Sequence, residues 1–237
     1  IINFRIYIIK LVEGKMDLVF IYADIPFWRA EVGRIALYIG DIEFKDLRVS
    51  GEEFKNIKEN GSYDGKFSVP FHQLPCLVVD GISIAQTAGI SRFCGKLSNL
   101  YPADDNKNAG LVDQFIDFAT DITVLISQSN KVTNSENRRL YRLELYKKEL
   151  SRKFLMLEKC IEKNSNWLVG SNITIADIAI WRLMGWLSSG NLEGIPEDFL
   201  NNYKKIREIC VNVDNYPKIK DWVNKTYPAE YNRGKFT

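Results

Sequence analysis

Histidine is nearly absent: His72 is the only one in 237 residues. A histidine-based catalytic triad, or a metal site with several imidazole ligands, is thereby excluded unless one residue serves it alone. Cysteine is sparse and scattered. Cys76, Cys94, Cys160 and Cys210 lie far apart, and no C-x-x-C pair occurs. That spacing argues against a zinc site and a dithiol redox centre, and reads as reduced, intracellular thiols. Charge of one sign is also lacking. Lys and Arg number 32 against 30 Asp and Glu, a net charge of +2. That is too little to draw the chain to nucleic acid or anionic lipid. No apolar run is long enough to span a bilayer.

What is present is ordinary for a globular protein. Hydrophobic residues make up 46% and charged residues 26%. The length suits one large domain or two ordinary ones, and it buries enough apolar surface to fold without disulfides or metals. Residues 1–15, IINFRIYIIKLVEGK, are apolar and basic and precede Met16. They read either as an upstream extension or as the trailing part of a targeting segment. The fold argument starts at Met16.

The pattern changes near residue 100. DLVFIY at 17–22 suits a buried strand. From Arg29 to Gly40, Ala30, Val32, Ile35, Ala36 and Ile39 fall on one helical face, and Gly40 stands at the C-cap. Phe44–Val49 reads as a strand, 51–58 as a short helix, and 59–70 as a loop. CLVVDGISIA is two strands around Asp80-Gly81, a type I′ hairpin signal. Gln86–Leu97 reads as a helix, giving β-α-β-α-β-β-α. Tyr101-Pro102 and the polar run after it look like a linker. Beyond it only helices are expected. One carries Leu111, Phe115, Phe118, Ile122 and Leu125. Others span Ser135–Glu162, 174–189, 196–212 and 216–226, with Pro196 and Pro217 at helix starts. The predicted domains are 16–98 and 106–237, with 1–15 as an extension and 99–105 as the linker.

Gln73-Leu74-Pro75 is the stretch richest in chemistry. Proline entering a buried strand removes a ladder hydrogen bond, and a cis peptide in a tight turn is one good reason for it. A cis Leu74–Pro75 bond would turn the Leu74 amide and carbonyl out of the sheet, where they could pair with an extended peptide. Gln86 and Thr87 follow at a helix N-terminus, whose free N–H groups favour a carboxylate.

FHQLPCLVVDGISIAQTAGISRFCG resembles the glutathione-binding segment of cytosolic glutathione transferases. The resemblance extends across almost all of 16–230. It includes Arg29-Ala30-Glu31 and SNITIADIAI at 171–180, where Thr174 and Asp177 also form a capping-box pattern. It implies a thioredoxin-like α/β N-terminal domain followed by an all-α C-terminal domain.

The resemblance also implies roles. Gln73, Gln86 and Thr87 would hold the γ-glutamyl end of glutathione, with Leu74, before Pro75, pairing with the cysteinyl backbone. Phe54 and Lys58 fall where sigma-like members place a Trp and a Lys near the glycine carboxylate. Asp121 falls where an aspartate reaches the ligand's amino group in a partner subunit. Tyr22 is the expected catalytic residue of a tyrosine-type member, donating to the glutathione sulfur. Such a donor stabilises the thiolate and lowers a thiol pKa that is otherwise ~8.5. Arg29 would add positive field. Ile25, Phe27 and Phe236 are placed by analogy at a second-substrate pocket. Three departures stand out: Trp28 replaces a glycine, Tyr22 is one residue further from Arg29 than usual, and Phe54 replaces a tryptophan.

Plainer readings stand beside these roles. Tyr22 is then a packed strand residue, Arg29 part of a surface or domain-interface ion pair, Asp121 one solvated helix charge among several, and Gln73, Gln86 and Thr87 turn and cap residues. The implied function is conjugation of glutathione to small apolar electrophiles, or peroxide reduction, by a cytoplasmic homodimer. Glutathione is a co-substrate, with no metal and no tightly bound cofactor. Organellar import follows instead if residues 1–15 belong to a targeting segment. The alternative is a non-catalytic binding, carrier or structural subunit on the same fold.

Overall fold

The structure, a computed structural model, describes residues 16–163 and 165–236. The reading of residues 1–15 therefore lies outside the described residues. The expected fold class, a thioredoxin-like α/β part followed by an all-α part, is the one observed. By contacts the chain divides into two compact units. One runs to Ile25 and resumes over Glu43–Ile90, and the other comprises Pro26–Ile42 and Ser91 onward.

The first unit is a four-stranded mixed sheet. Its strands are β1 (Leu18–Ala23), β2 (Lys45–Val49), β5 (Cys76–Val79) and β6 (Ile82–Ala85), in the order β2-β1-β5-β6. β1 runs parallel to β2 and antiparallel to β5. β1 is central and reads LVFIYA because it is buried on both faces. Val19 and Ile21 point into a cluster with Val49, Ile57, Val69, Cys76 and Val78. Leu18, Phe20 and Tyr22 take the opposite face by the two-residue period.

Asp80 and Gly81 have φ 48° and 83°, the pair of positive values that a type I′ turn needs. A helix, α2 (Gly51–Asn60), opens on a capping box. Ser50 Oγ accepts from the Glu53 amide at 3.2 Å, and the Glu53 carboxylate accepts from the Ser50 amide at 2.6 Å. The expected loop at 59–70 is in part structured. It contains a small hairpin, β3 (Ser62–Tyr63) with β4 (Phe67–Ser68), and a turn of 3-10 helix starts at Pro70. Tyr63 and Phe67 supply the reason: both pack on the buried cluster.

In the second unit, α1 (Trp28–Ile39) packs chiefly on α7 (Ile175–Leu187) and α9 (Pro217–Thr226), and the unit also holds α4 (Asn106–Ser127), α5 (Ser135–Leu145), α6 (Ser151–Cys160) and α8 (Lys204–Asp214). The remaining helix, α3 (Thr87–Leu97), begins in the first unit and ends in the second. α7 is the hub, and every residue of it except Trp186 is buried. Its N-terminus is fixed by Asp177, which accepts from the Thr174 amide at 2.7 Å, the Thr174 hydroxyl at 2.9 Å and the Leu168 amide at 2.7 Å.

Two helix expectations are corrected. The predicted helix over 135–162 holds a π-helical stretch at Tyr146–Leu150 and ends at Cys160. The Ser151 hydroxyl takes up the Tyr146 carbonyl there at 2.7 Å. The predicted helix over 196–212 starts only at Lys204, after a 3-10 turn at Phe199–Asn202, so Pro196 is not in its first turn. α1 carries a further surprise. Glu31 and Arg34 lie off its apolar face, yet both are fully buried. Glu31 accepts from Arg34 at 3.2 Å and from the Trp222 indole at 2.8 Å, which satisfies a charge that would otherwise be costly to bury.

Candidate functional site

Sheet register brings Tyr22, Pro75 and Gln86 to one end of the first unit. In the antiparallel pair Ile21 is opposite Cys76, so the next residues outward are Tyr22 and Pro75. Cys76 is also opposite Ala85, so Pro75 and Gln86 leave the same end of the β5–β6 hairpin. The Leu74–Pro75 bond is cis. The ladder begins at Cys76, so Leu74 lies outside the sheet pairing.

Gln86 has φ 70°, a left-handed conformation that is uncommon for a residue with a side chain. Its carbonyl accepts the first helical bond, from Ile90 at 3.0 Å, so it caps α3. Gln73 and Gln86 are exposed, while Thr87 and Pro75 are buried. The start of a helix, with the positive end of its dipole, thus emerges beside the exposed Gln86.

Tyr22, the penultimate residue of β1, is 8% exposed and in parallel register with Arg48. Arg48 is paired in turn with Asp24 and Asp46, each at 2.9 Å. Phe54 and Lys58 stand one turn apart on α2, with the Lys58 ammonium 4.3 Å from the centre of the Phe54 ring. Phe54 and Leu74 pack on the same buried cluster, which ties α2 to the segment before Pro75.

His72 is a residue whose part sequence reasoning left blank. Its Nδ1 is 3.0 Å from the Lys58 carbonyl, and its ring covers Gly61 so closely that a Cβ there would run into it. The lone histidine therefore braces the chain just before Gln73. Phe71 and His72 both adopt positive φ, 61° and 52°, for which the sequence carries no glycine signal. The Ser50-x-x-Glu53 capping pattern that sets α2 was legible in principle. Cys76 is fully buried, and burial pushes its thiol pKa up.

The remaining candidates are distributed differently. Ile25 is 48% exposed at the end of the first unit. Arg29, Phe27, Asp121 and Phe236 belong to the second. Arg29 is half-buried in the first turn of α1, and Asp121 is exposed on α4. Phe27 meets Trp186 edge-on at 5.0 Å, and the buried Phe236 lies 6.3 Å from Trp181. Among the described residues no group of three or more His, Cys, Asp or Glu is placed to hold a metal ion. No described helix is long and apolar enough to cross a membrane.

Known proteins are similar to this chain in sequence and in fold. A model of the glutathione S-transferase C-terminal domain matches residues 117–226. Glutathione S-transferase 1 of Ascaris suum is 26% identical over 206 residues, 85% of this chain and 93% of that protein. The solved glutathione S-transferase of Ascaris lumbricoides superposes with a TM-score of 0.70 at 24% identity, covering 92% of this chain and 100% of that one, a likeness of fold. Glutathione S-transferase 2 of Caenorhabditis elegans is 32% identical over 176 residues, 72% of this chain and 89% of that protein. On that sequence likeness and the shared fold, the chain belongs to the glutathione S-transferase family.

Proposed function

We propose that the chain is a glutathione S-transferase that holds glutathione at the Tyr22–Pro75–Gln86 end of its sheet and activates the sulfur as a thiolate. The observation that carries the reading is the register that brings a cis Leu74–Pro75 bond, a strained Gln86 at a helix N-terminus, and Tyr22 to one sheet end. An extended tripeptide with a carboxylate at each end suits such a surface. Leu74 offers backbone groups for strand-like pairing. Gln73, Gln86 and Thr87 take the γ-glutamyl end, where the start of α3 favours the carboxylate.

Lys58, beside Phe54, answers the glycine carboxylate, and the Tyr22 phenol donates to the sulfur. Arg29 supplies positive charge, and Asp121 meets the ligand's amino group in the partner of a homodimer. Residues 16–98 form the glutathione-binding domain and 106–237 the helical domain, joined by 99–105. The thiolate attacks small apolar electrophiles or peroxides admitted near Ile25, Phe27 and Phe236, a detoxifying role in the cytoplasm. Glutathione is consumed as a co-substrate, and no tightly bound cofactor is required.

Glutathione titrated calorimetrically, followed by turnover with a chloronitrobenzene and with an organic hydroperoxide, tests the reading. Saturable binding with turnover of either electrophile is the expected result. Binding without turnover of any electrophile would reduce the protein to a carrier, and no binding would overturn the reading altogether. Sedimentation of the full chain tests the homodimer separately. The monomeric glutathione S-transferase of Necator americanus, with a TM-score of 0.72, shows that this fold does not require a partner.

A further inference from the structure

Trp28, the first residue of α1, is fully buried and among the largest side chains in the interior. Its indole N–H donates to the Thr123 hydroxyl of α4 at 2.9 Å. That hydroxyl donates onward to the Ala119 carbonyl at 2.8 Å. The Phe27 ring lies tilted against the indole, with centroids 6.4 Å apart. The indole is thus fixed along one edge by a hydrogen bond and along another by a ring.

Over its face stands the guanidinium of Arg29, 5.3 Å from the ring centroid. Successive residues on a helix point about 100° apart. Such a contact between neighbours therefore needs the arginine to fold back across the tryptophan. Arginine stacked on tryptophan is the most favourable pairing of its kind among protein side chains, and it restricts a long, rotamer-rich chain.

The place of this cation is unusual for another reason. Arg29 occupies the first turn of α1, where the helix dipole disfavours positive charge. The guanidinium is half-buried there.

We propose that Trp28 and Thr123 are positioning residues, fixing the Arg29 guanidinium for an anionic group of bound glutathione. The proposal rests on the reading of Arg29 as a glutathione-site residue. Thr123 touches no ligand in this scheme. It acts through the indole, and the indole acts through the cation lying on it.

The test is a double-mutant cycle on the full chain, reading KM for glutathione and kcat, with a thermal melt to establish that each variant is folded. Arg29→Ala is expected to raise KM about tenfold. Thr123→Val, which frees the indole edge without emptying volume, is expected to raise KM about threefold with kcat little changed. Thr123→Ser keeps the hydroxyl and should behave as the wild type. In the Arg29→Ala background, Thr123→Val should add nothing.

Should Thr123→Val fail to fold, Trp28→Phe keeps a ring without the N–H and carries the same expectation. An unchanged KM for Thr123→Val, or effects that simply add, would overturn the positioning role while leaving Arg29 in the site. An unchanged KM for Arg29→Ala would remove Arg29 from the site, and the proposal with it.

Discussion

Arg182 spans 156 residues of sequence to donate its Nη2 to the carbonyl of Pro26 at 3.1 Å. The same guanidinium donates through Nη1 to the Arg233 carbonyl at 3.0 Å, and it meets the Tyr231 hydroxyl at 3.1 Å. One fully buried cation thereby fastens the start of α1 and the C-terminal segment to the middle of α7. Arg182→Met keeps the length of the stem but leaves the Arg233 carbonyl without its donor. It should cost about 2–5 kcal/mol. The C-terminal segment should then be cut rapidly by trypsin at Arg233 and Lys235, which digestion followed by mass spectrometry reads directly. Arg182→Lys should do almost as badly, because an ammonium cannot serve both carbonyls as a planar fork does.

A second prediction separates stability from binding at Gln86. Its φ of 70° costs a residue with a Cβ about 1 kcal/mol that glycine does not incur. Gln86→Gly should therefore melt at the wild-type temperature or slightly above it. The same change removes the amide assigned to the γ-glutamyl end, so KM for glutathione should rise about tenfold or more. Loss of both stability and affinity would mean that Gln86 serves only as a cap.

The two readings of Gln86 show where sequence suffices and where it does not. Strand positions were legible because β1 and β5 are buried and bounded by turn formers, and Asp80-Gly81 named its own turn type. The Gln73–Pro75 and Gln86–Thr87 pairs were legible as a spacing, and their meeting at one sheet end follows from the Cys76–Ala85 register. The start of α8 was not legible. The Glu158 carboxylate accepts from the Lys205 amide at 2.8 Å and from the Ile206 amide at 3.0 Å, so the N-terminus is set by a side chain 47 residues away.

The π-helical stretch was hidden for a similar reason. The Tyr203 hydroxyl donates to the Ser151 carbonyl beside it at 3.2 Å, a contact no local pattern announces. Burial of Glu31 and Arg34 likewise depends on Trp222, far along the chain.

Asp177 supplies a prediction in pH. Burial raises its pKa from 3.8 to about 6, against hydrogen bonds from Leu168, Thr174 and its own backbone that favour the charged form. Below 3.8 the folded and unfolded states both hold the proton. Between 3.8 and about 6 only the folded state does, so stability falls as pH rises through that window and levels off above it. The total change is about 3 kcal/mol. Asp177→Asn should abolish this part of the pH dependence. It should also destabilise the protein by about 2–4 kcal/mol near pH 5, because an amide NH2 would face the N–H donors of Thr174 or Leu168. Chemical denaturation of both proteins from pH 4 to 7 gives the difference, and parallel curves would show that Asp177 does not titrate in that range.

Tyr22, to which the proposed function gives the glutathione sulfur, yields the sharpest prediction. The residue is 8% exposed, so Tyr22→Phe keeps the packing of β1 and should leave the melting temperature within a few degrees. What it removes is one donor. A hydrogen bond to a charged acceptor contributes about 1.5–3 kcal/mol, which is about one to two units of thiol pKa. Ultraviolet difference spectra of the wild-type complex should show thiolate absorbance well below the free thiol's ~8.5. In Tyr22→Phe the thiolate should appear only near that value. The rate deficit should then depend on pH, about tenfold to a hundredfold near pH 6.5 and shrinking above pH 9 as the variant's thiol ionises unaided. A deficit constant across pH would place Tyr22 in substrate orientation instead, and no deficit at any pH would return it to the core of β1.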